Sequence, residues 1–394
     1  MANPDSSKQL VWVAGEKSGD LIAGPILRAV NQRLEGVRHA GIGGPAMRDA
    51  GIDCWWDIDD LSVRGYTEVL SALPRLLRMR HQLARRVLAE KPAAFIGVDA
   101  PDFNFALEKK LKKKGVTALH FIGPSVWAWR AGRLKSIRES VDHMLLLFPF
   151  EKQIYDDAGI DASFVGHPLA DHIKSLDQDQ AAARRRLGLT DREQVIALLP
   201  GSRPSEIRYM GQCFLETARW VFSKRHDVQF VLPAANTGIL ESLRNAAANM
   251  GMADSPHLHL VDGQAYDAMI AADTALVASG TATLEVALFG KPMVIAYKMA
   301  GSSYQLMKRM GYLPYIGLPN ILCNDWIVPE YVQDAATAMS LGTALLEQLD
   351  DDTVRRQIVE RFTALQEELA VGCAERVADV IANVVDESKR RNGL

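Results

Sequence analysis

One nine-residue stretch combines groups that bind phosphate with a geometry that would point them the same way. In Val277-Ala278-Ser279-Gly280-Thr281-Ala282-Thr283-Leu284-Glu285 an apolar run ends, a Ser-Gly-Thr turn follows and a helical pattern begins. Such a helix start directs backbone N–H groups and a positive dipole end at an anion. Ser279, Thr281 and Thr283 add hydroxyl donors, and Glu285 is suited to hold a ribose diol. There is no Walker lysine and no Gly-x-Gly-x-x-Gly spacing. We therefore expect a nucleotide-sugar diphosphate here, the alternative being an ordinary capped helix.

A second anion-binding corner follows another predicted strand. Leu199-Pro200-Gly201-Ser202-Arg203 ends a strand in a Gly-Ser turn with an arginine, and a helical pattern follows. Arg203 can bind a phosphate in bidentate fashion, whereas a lysine acts as a point charge. Two such corners in one half of the chain favour a diphosphate site over two unrelated helix caps. Asn320, in Leu318-Pro319-Asn320-Ile321-Leu322, offers an amide contact near the same site.

Two carboxylates follow strands in the N-terminal half. Asp99 comes directly after the apolar run 95–98, at the end of a sheet where ligands bind. A carboxylate there is suited to take a proton from an attacking hydroxyl, the alternative being a structural turn. Glu16 lies in Ala14-Gly15-Glu16-Lys17-Ser18-Gly19-Asp20, after the opening strand. It has a similar claim to a role in the ligand cleft, with helix capping as the alternative.

Other polar residues near strand ends have structural interpretations. We expect Asp20 and Asp102 to cap helices or turns, and His120, inside an apolar strand, to be a satisfied core histidine. The loop Pro124-Ser125-Val126-Trp127-Ala128-Trp129-Arg130 suits a sugar site and equally a packing plug between domains. Asp57-Ile58-Asp59-Asp60 resembles the Asp-x-Asp pair of metal-dependent glycosyltransferases. That pair belongs to a single-domain fold, so we expect neither metal nor cofactor.

The segment from Leu73 to Leu88 forms a helix with one broad apolar face on a helical wheel. We place Pro74 in its first turn. Arginines flank the apolar face and Arg80 falls inside it, which suits a basic amphipathic helix on an anionic membrane. A packed helix with a solvated basic rim is the alternative. The residues expected at an acceptor and membrane surface are Arg75, Leu76, Leu77, Arg78 and Arg80.

Length, composition and charge limit the classes of protein to which the chain can belong. The chain has 394 residues, 48% of them hydrophobic, and a net charge of -3, which is typical of a globular protein of two domains. Residues 72–138 contain fifteen lysines and arginines against four acids, so we expect an anionic partner there. Nucleic acid is a poor candidate, because aromatics are not interleaved and no binding motif is present. Four scattered cysteines, no signal peptide and no membrane-spanning run favour a cytoplasmic protein.

Short apolar runs alternate with helical patterns along the chain. The predicted strands are Leu10–Val13, Phe95–Val98, Ala118–Ile122, Met144–Phe148, Val195–Leu199, Gln229–Leu232, Leu258–Val261, Ala275–Val277 and Met293–Ala296. The alternation predicts two tandem doubly wound Rossmann-like α/β domains. Beyond Asn320 we expect no strands and three helices, which close the second domain and cross back to the first. The expected division is an acceptor and membrane-facing domain at 1–172, a nucleotide-sugar domain at 173–349 and C-terminal helices at 350–394. A ligand cleft should lie at the carboxyl ends of the strands.

Taken together, the motifs resemble those of the lipid-A-disaccharide synthases, glycosyltransferases of lipopolysaccharide assembly in Gram-negative bacteria. Eight motifs occur in the family's order and span nearly the whole chain. They are residues 14–20, 41–45, 98–104, 124–130, 164–169, 199–203, 279–285 and 318–322.

The resemblance implies a two-domain, metal-independent inverting glycosyltransferase of the GT-B type, with UDP held by the C-terminal domain. The donor would be UDP-2,3-diacylglucosamine, the acceptor 2,3-diacylglucosamine 1-phosphate, and the product the β-1,6-linked disaccharide 1-phosphate. Such an enzyme works on the cytoplasmic side of the inner membrane, and a homodimer is compatible with it. Asp99 would be the base and Glu16 would position the acceptor or share the proton transfer. The donor pocket would be formed by Arg203, Ser279, Gly280, Thr281, Thr283, Glu285, Asn320 and Gln333.

Two features depart from the family pattern, and three alternatives stay open. Lys17 replaces a residue that is usually small, and Cys323-Asn324-Asp325-Trp326 differs from the expected sequence. A UDP-N-acetylglucosamine 2-epimerase and a peptidoglycan N-acetylglucosaminyltransferase have similar two-domain folds. A membrane adaptor that senses nucleotide sugars without turnover is the alternative outside the enzymes.

Overall fold

The apolar runs of this chain form two parallel sheets. The computed structural model describes residues 9–61, 66–127, 131–191, 193–301 and 314–391. They divide into two compact units. The first unit ends at Asp171 and resumes at Leu369, and the second runs from His172 to Glu368. The returning segment thus begins at Leu369, whereas the sequence analysis started it at 350.

The first unit contains a seven-stranded parallel sheet in the order β3-β2-β1-β4-β5-β6-β7. Its strands are β1 Gln9–Ala14, β2 Arg38–Gly43, β3 Ile52–Asp57, β4 Ala94–Val98, β5 Ala118–Phe121, β6 His143–Leu146 and β7 Ala162–Phe164. Alternate residues of β1 enter different cores: Leu10 and Trp12 pack on one face, Val11 and Val13 on the other. Both faces are covered, as expected for a parallel sheet.

The second unit contains a six-stranded parallel sheet in the order β10-β9-β8-β11-β12-β13. Its strands are β8 Gln194–Leu199, β9 Val228–Ala234, β10 Leu258–Asp262, β11 Thr274–Ala278, β12 Met293–Tyr297 and β13 Glu330–Val332. In each sheet the strand order reverses once, between β1 and β4 and between β8 and β11. Ligands bind at such switch points in doubly wound folds.

Helices connect the strands. In the first half of the chain they are α1 Lys17–Arg33, α2 Pro45–Asp49, α3 Tyr66–Glu90, α4 Pro101–Lys112, α5 Leu134–Ser140, α6 Glu151–Asp157, α7 Pro168–Ser175 and α8 Gln180–Arg186. In the second half they are α9 Pro204–Glu206, α10 Gln212–Lys224, α11 Thr237–Asn249, α12 Ala265–Ala271, α13 Thr281–Leu288, α14 Leu318–Cys323, α15 Ala338–Asp350, α16 Asp352–Leu369 and α17 Cys373–Arg391. A π-helical turn, Ile207–Gly211, joins α9 to α10.

The last helix, α17, returns to the first unit. Val377, Ile381 and Val385 of α17 are buried in the same core as Ile26 and Val30 of α1. The predicted return of the chain's C-terminus to the first domain is confirmed. No helix in the described part of the chain combines the length and apolarity that a membrane crossing requires.

All nine predicted strands are confirmed, and two other expectations about elements are wrong. Strands do not stop at Asn320, because β13 adds a three-residue edge strand. The helix α3 begins at Tyr66, so Pro74 lies inside it and not in its first turn.

Candidate active site

Asp99 and Glu16 lie side by side at the switch point of the first sheet. Ala14 of β1 is in register with Val98 of β4, so the loops after both strands meet. The Asp99 carboxylate accepts hydrogen bonds from the backbone N–H groups of Gly15 (2.7 Å) and Glu16 (3.2 Å). The Glu16 side chain is exposed and does not cap α1. The two predicted carboxylates are therefore adjacent, and Asp99 is fixed by the loop that carries Glu16.

The backbone at Asp99 is held in an uncommon conformation. Asp99 and Ala100 have φ angles of 56° and 39°, in the left-handed region that non-glycine residues rarely adopt. The amide of Asn104, fully buried on α4, donates to the Asp99 carbonyl oxygen at 3.0 Å. A Cβ atom on Gly19 would lie 2.0 Å from Asp99 Oδ2, so only glycine permits this close approach. Strain of this kind is typical of functional sites.

The surroundings of Asp99 tune its acidity. Burial raises the pKa of Asp99 to about 7, and the nearby Glu16 carboxylate acts in the same direction. The N–H groups of Gly15 and Glu16 and the imidazole of His120 lower that pKa. A carboxylate that titrates near neutrality is suited to general base chemistry.

A fully buried, hydrogen-bonded pair of side chains lies beside the strand that carries Asp99. His120 Nδ1 is 2.7 Å from Glu108 Oε1, and neither side chain has solvent exposure. The imidazole packs against the ring of Phe105, 4.4 Å between centroids. His120 is thus a core histidine, as predicted, but its acidic partner on α4 was not foreseen.

A cavity of about 690 Å³ is lined by Glu16 and by Gly15 and Ala100, which flank the Asp99 loop. Leu76, Leu77 and Arg80 of α3 line it, together with Glu16 and Lys17. The side chains of Leu73 and Leu77 are each 45% exposed. Of the other predicted surface residues, Arg75 donates to the Asp60 carbonyl oxygen at 2.5 Å, and Arg78 is exposed on α3. The cavity therefore combines an apolar wall with charged groups at one end.

Arg203 lies at the switch point of the second sheet. Leu199 of β8 is in register with Val277 of β11, so the two predicted anion corners are neighbours. The backbone N–H groups of Ser202 and Arg203 donate to Glu206 Oε2, at 2.9 and 3.1 Å. The Arg203 side chain is 78% exposed and also contacts Glu206. The turn is thus capped by its own glutamate, and the guanidinium is the group that remains available to an anion.

The second corner is the start of α13. Gly280 and Thr281 are exposed there, and the first N–H groups of a helix have no intrahelical acceptor. Ser279 donates through its hydroxyl to the Ile316 carbonyl oxygen at 2.8 Å. Thr283 is fully buried and donates to the Gly280 carbonyl oxygen at 2.7 Å. The hydroxyls of Ser279 and Thr283 therefore hold the turn, and Thr281 offers the exposed one.

Glu285 lies one turn further along α13. Burial raises its pKa, and a hydrogen bond from the Tyr266 hydroxyl opposes that increase. The Tyr266 ring packs edge-on against Phe289 at 5.3 Å. Tyr266, which the sequence analysis did not single out, fixes the orientation of this carboxylate.

Asn320 and Gln333 brace the neighbouring loops. The Asn320 amide donates to the Val328 carbonyl oxygen and to Glu330, and its oxygen accepts two backbone N–H groups. Gln333 accepts from the Met299 N–H at 2.9 Å and donates to the Met299 carbonyl oxygen at 3.0 Å. The amides of both side chains thus make hydrogen bonds that hold the neighbouring loops, to backbone groups and, for Asn320, also to Glu330.

Other predicted residues have structural contacts. Asp20 caps α2 and not its own helix, through the N–H groups of Gly44, Ala46 and Met47. Trp127 packs within the first unit and donates to the buried Glu151 at 3.1 Å. Trp129 and Arg130 lie outside the described residues.

The fold and these two strand-end sites define a protein of the GT-B class. A glycosyltransferase from Rickettsia africae has a TM-score of 0.58 at 11% identity, covering 96% of this chain and 98% of that one. A putative UDP-N-acetylglucosamine 2-epimerase from Listeria monocytogenes has a TM-score of 0.62 at 14% identity, covering 98% and 97%.

Sequence comparison narrows the class to a family. The family model described as Lipid-A-disaccharide synthetase matches residues 10–381. The lipid-A-disaccharide synthase of Paraburkholderia phytofirmans is 47% identical over 393 residues, which cover 99% of this chain and 100% of that protein. The chain belongs to the lipid-A-disaccharide synthase family of glycosyltransferases, and the resemblance read from its motifs is confirmed.

Proposed function

We propose that the protein transfers 2,3-diacylglucosamine from UDP to the 6-hydroxyl of 2,3-diacylglucosamine 1-phosphate. The acceptor oxygen bonds to the anomeric carbon of the donor while the bond from that carbon to UDP breaks. The products are the β-1,6-linked disaccharide 1-phosphate and UDP, and the hydroxyl proton passes to the enzyme. Membership of the family supports this reaction. The observation that carries it is that Asp99 is held by Gly15 and Glu16, which line the cavity together with Ala100.

Asp99 takes the proton in this proposal. Each of its carboxylate oxygens accepts one backbone N–H, which leaves lone pairs for an incoming hydroxyl. A pKa of about 7 makes it a stronger base than an exposed aspartate, yet largely ionised in mildly alkaline solution. Glu16 orients the acceptor sugar at the cavity, and Arg80 and Lys17 bind its 1-phosphate.

The second unit holds UDP. The Arg203 guanidinium and the N–H groups at the start of α13 stabilise the charge that develops on the departing diphosphate. Thr281 adds an exposed hydroxyl, and Glu285 binds the ribose diol. Ser279, Thr283, Asn320 and Gln333 keep this pocket in shape through the internal hydrogen bonds described above.

In this proposal α3 contacts the acyl chains of the substrates and the surface of the bilayer. Its exposed leucines and its arginines Arg75 and Arg78 suit an anionic membrane surface, since each basic residue near such a surface adds about 1 kcal/mol of attraction. We propose that the protein acts as a peripheral protein at the cytoplasmic face of the inner membrane. We also propose that the protein forms a homodimer, and light scattering would test this by measuring its molar mass in solution.

Release of UDP tests the reaction. The purified protein is incubated with both lipid substrates in EDTA, and UDP is expected only when both are present. The Asp99→Asn variant is expected to lose about 10²–10⁴-fold in rate, the usual contribution of a general base. Release of UDP from the donor alone would favour an epimerase-like elimination. If the protein binds UDP but forms none from the donor under any condition, a different acceptor or the non-catalytic adaptor would be favoured.

A further inference from the structure

The turn that carries Asp99 has a backbone conformation that its residues do not favour. Asp99 and Ala100 are consecutive left-handed residues, with φ angles of 56° and 39°. Aspartate visits this region as a single residue in loops, whereas alanine rarely adopts it. Ala100 also precedes α4 directly and offers no side-chain group that could cap the helix. Such a turn persists only where contacts from the surrounding structure hold it.

The buried amide of Asn104 supplies these contacts. Asn104 lies at the end of the first turn of α4 and has no solvent exposure. Its side-chain nitrogen donates to the carbonyl oxygen of Asp99 at 3.0 Å and to that of Val13, in β1, at 3.3 Å. Both partners only accept hydrogen bonds, so the NH₂ group with its two donors must face them. One side chain thus joins the Asp99 turn to the end of the neighbouring strand.

Two glycines make room for this arrangement. A Cβ atom on Gly97 of β4 would lie 3.1 Å from the Cβ atom of Asn104. A Cβ atom on Gly15 would lie 2.2 Å from the Cβ atom of Ala100. Gly15 also begins the loop whose N–H groups hold the Asp99 carboxylate. The amide, the turn and the loop are therefore in such close contact that a shift of the turn also moves the carboxylate.

Fold stability gives only part of the reason for an asparagine at position 104. Within the described residues, Asn104 Oδ1 is buried and has no hydrogen-bond partner. An unpaired buried acceptor is destabilising, and an apolar side chain of similar volume would not contain one. The favourable part of the amide is its two donors, and both are used at the strand ends beside Asp99.

We propose that Asn104 is a positioning residue of the reaction: it holds the strained turn at Asp99 against the end of β1 and so keeps the Asp99 carboxylate on the N–H groups of Gly15 and Glu16. The inference deepens the proposed function and rests on the role of Asp99 as the base. Without the amide, the turn can relax to a more favourable backbone conformation. The carboxylate then leaves the position from which it takes the proton.

The first test compares Asn104→Leu with the wild type. Leucine has a similar volume and no donor, so both hydrogen bonds are lost without a large cavity. We expect kcat to fall by about 10²-fold, the loss that a displacement of about 1 Å produces. KM for both substrates should change by less than about twofold, because the amide is fully buried and the loss is confined to the transition state. An unchanged kcat in the folded variant would overturn the proposal.

A double variant separates positioning from general stabilisation. Asp99→Asn removes the base, so Asn104→Leu should cause no further loss of activity when it is combined with Asp99→Asn. Residues that act as one unit are non-additive in this way. If the two losses multiply, Asn104 acts independently of Asp99, which contradicts the proposal.

The titration of Asp99 reports its position without turnover. In the full-length protein with ¹³C-carboxyl-labelled aspartate, the Asp99 signal is assigned by its loss in Asp99→Asn. Burial raises the pKa of Asp99 to about 7. In Asn104→Leu the midpoint should move from there toward the ordinary value of 3.8, because the carboxylate leaves its buried position. A midpoint that stays near the wild-type value would show that the amide does not hold the carboxylate.

Gln348→Leu is the matched control. Gln348 is a buried amide of α15 in the second unit, and it donates to the Met293 carbonyl oxygen at 2.8 Å, at the start of β12. The same substitution there should lower the Tm and leave both kcat and the Asp99 midpoint unchanged. If Asn104→Leu does not fold, Asn104→Ala, which also lacks a donor and cannot overpack the site, decides the question with the same expected changes.

The two kinds of measurement separate this inference from the proposed reaction. Full activity of Asp99→Asn would overturn the role of Asp99 as the base. The titration would still show whether Asn104 holds that carboxylate in place.

Discussion

The side chain of Asp99 combines a raised pKa with a fixed orientation. Burial raises the pKa, and two backbone N–H groups from the loop after β1 hold the carboxylate. Burial and these hydrogen bonds have opposite effects on the pKa of Asp99, because hydrogen bonds to a carboxylate normally lower its pKa. Burial is the larger effect here. Asp99 therefore retains an affinity for protons near neutral pH while its position is set by the backbone.

The same burial should make the ionised form of Asp99 destabilising for the folded protein. A carboxyl whose pKa is raised from 3.8 to about 7 stabilises the fold only at low pH. That contribution disappears as the pH rises from about 4 to about 7, because the unfolded chain ionises first. We expect Asp99→Asn to have a Tm above that of the wild type at pH 8, with a smaller difference at pH 5. Calorimetry at both pH values measures it, and a difference that is constant with pH would contradict the raised pKa.

Two threonines of α13 provide a comparison of ligand contact with structural support. Thr281 is exposed at the helix start, whereas Thr283 is buried against the Gly280 carbonyl oxygen. We expect Thr281→Val to weaken UDP binding by about 3–10-fold, the value of one hydrogen bond, with an unchanged Tm. Thr283→Val should instead lower the Tm and change UDP affinity less. Equal effects of the two variants on affinity, measured by calorimetric titration, would refute this assignment.

Residue types at strand ends predict where polar groups gather better than they predict which hydrogen bonds each side chain makes within the protein. The polar residues 279–285 and Arg203 do lie at one switch point, since strand order and register follow from the apolar runs. Asn320 and Gln333 were predicted to complete the nucleotide pocket, and the structure adds that their amides hold nearby backbone groups. Nothing in a sequence shows whether a loop will consume the hydrogen bonds of such a side chain. The hydrogen bond between Glu108 and His120 was also not predicted, because the two residues lie on different elements.

At the scale of elements, α3 has two halves with different environments. Leu83 and Val87 are buried in the core under the first sheet, whereas Leu73 and Leu77 are exposed beside the cavity. The sequence predicted the apolar face and its arginines. It did not predict the start at Tyr66, because Pro74 resembles a first-turn proline and proline inside a helix is uncommon.

Strands without an apolar run were the elements that sequence reasoning missed. β2 reads Arg-His-Ala-Gly-Ile-Gly and is nonetheless buried, because its neighbours β1 and β3 and the covering helices supply the apolar surroundings. β13 is a half-buried edge strand of three residues. Strands of this kind are specified by tertiary pairing more than by their own residues.

The exposed leucines of α3 should bind lipid. We expect Leu73→Ser combined with Leu77→Ser to weaken binding to vesicles of anionic lipid by about 10–30-fold, from roughly 1 kcal/mol for each half-exposed leucine. KM for the acylated acceptor should rise, while UDP affinity and Tm stay the same. The control is Met339→Ser with Val354→Ser, which removes exposed apolar side chains of the second unit. Equal losses in both double variants would show that α3 has no special part in lipid binding.

At the scale of the whole molecule, the chain leaves the first unit once and returns to it. Asp171, the last residue before the second unit, accepts hydrogen bonds from the N–H groups of Gly372 (2.9 Å) and Cys373 (2.6 Å). The His167 N–H donates to the Leu369 carbonyl oxygen at 2.9 Å. Hydrogen bonds thus join the segment where the chain leaves the first unit to the segment where it returns. The first unit is complete only when the last nineteen-residue helix, α17, is in place.

This dependence predicts which unit a distant substitution will destabilise. Ile381 of α17 is fully buried beside α1 in the core of the first unit. We expect Ile381→Ala to destabilise that unit by about 2–5 kcal/mol, the usual loss for removing a buried isoleucine side chain beyond Cβ. Leu345→Ala, in the core of the second unit, should act on the other unit by a similar amount.

Calorimetry with and without UDP distinguishes the two units. UDP should raise the transition of the second unit, since a ligand stabilises the folded form that binds it. In Ile381→Ala the transition that does not respond to UDP should move to lower temperature, and in Leu345→Ala the one that does respond should move. If Ile381→Ala instead lowered only the UDP-sensitive transition, α17 would have to stabilise the second unit in solution. The assignment of the C-terminal helix to the first unit would then be wrong.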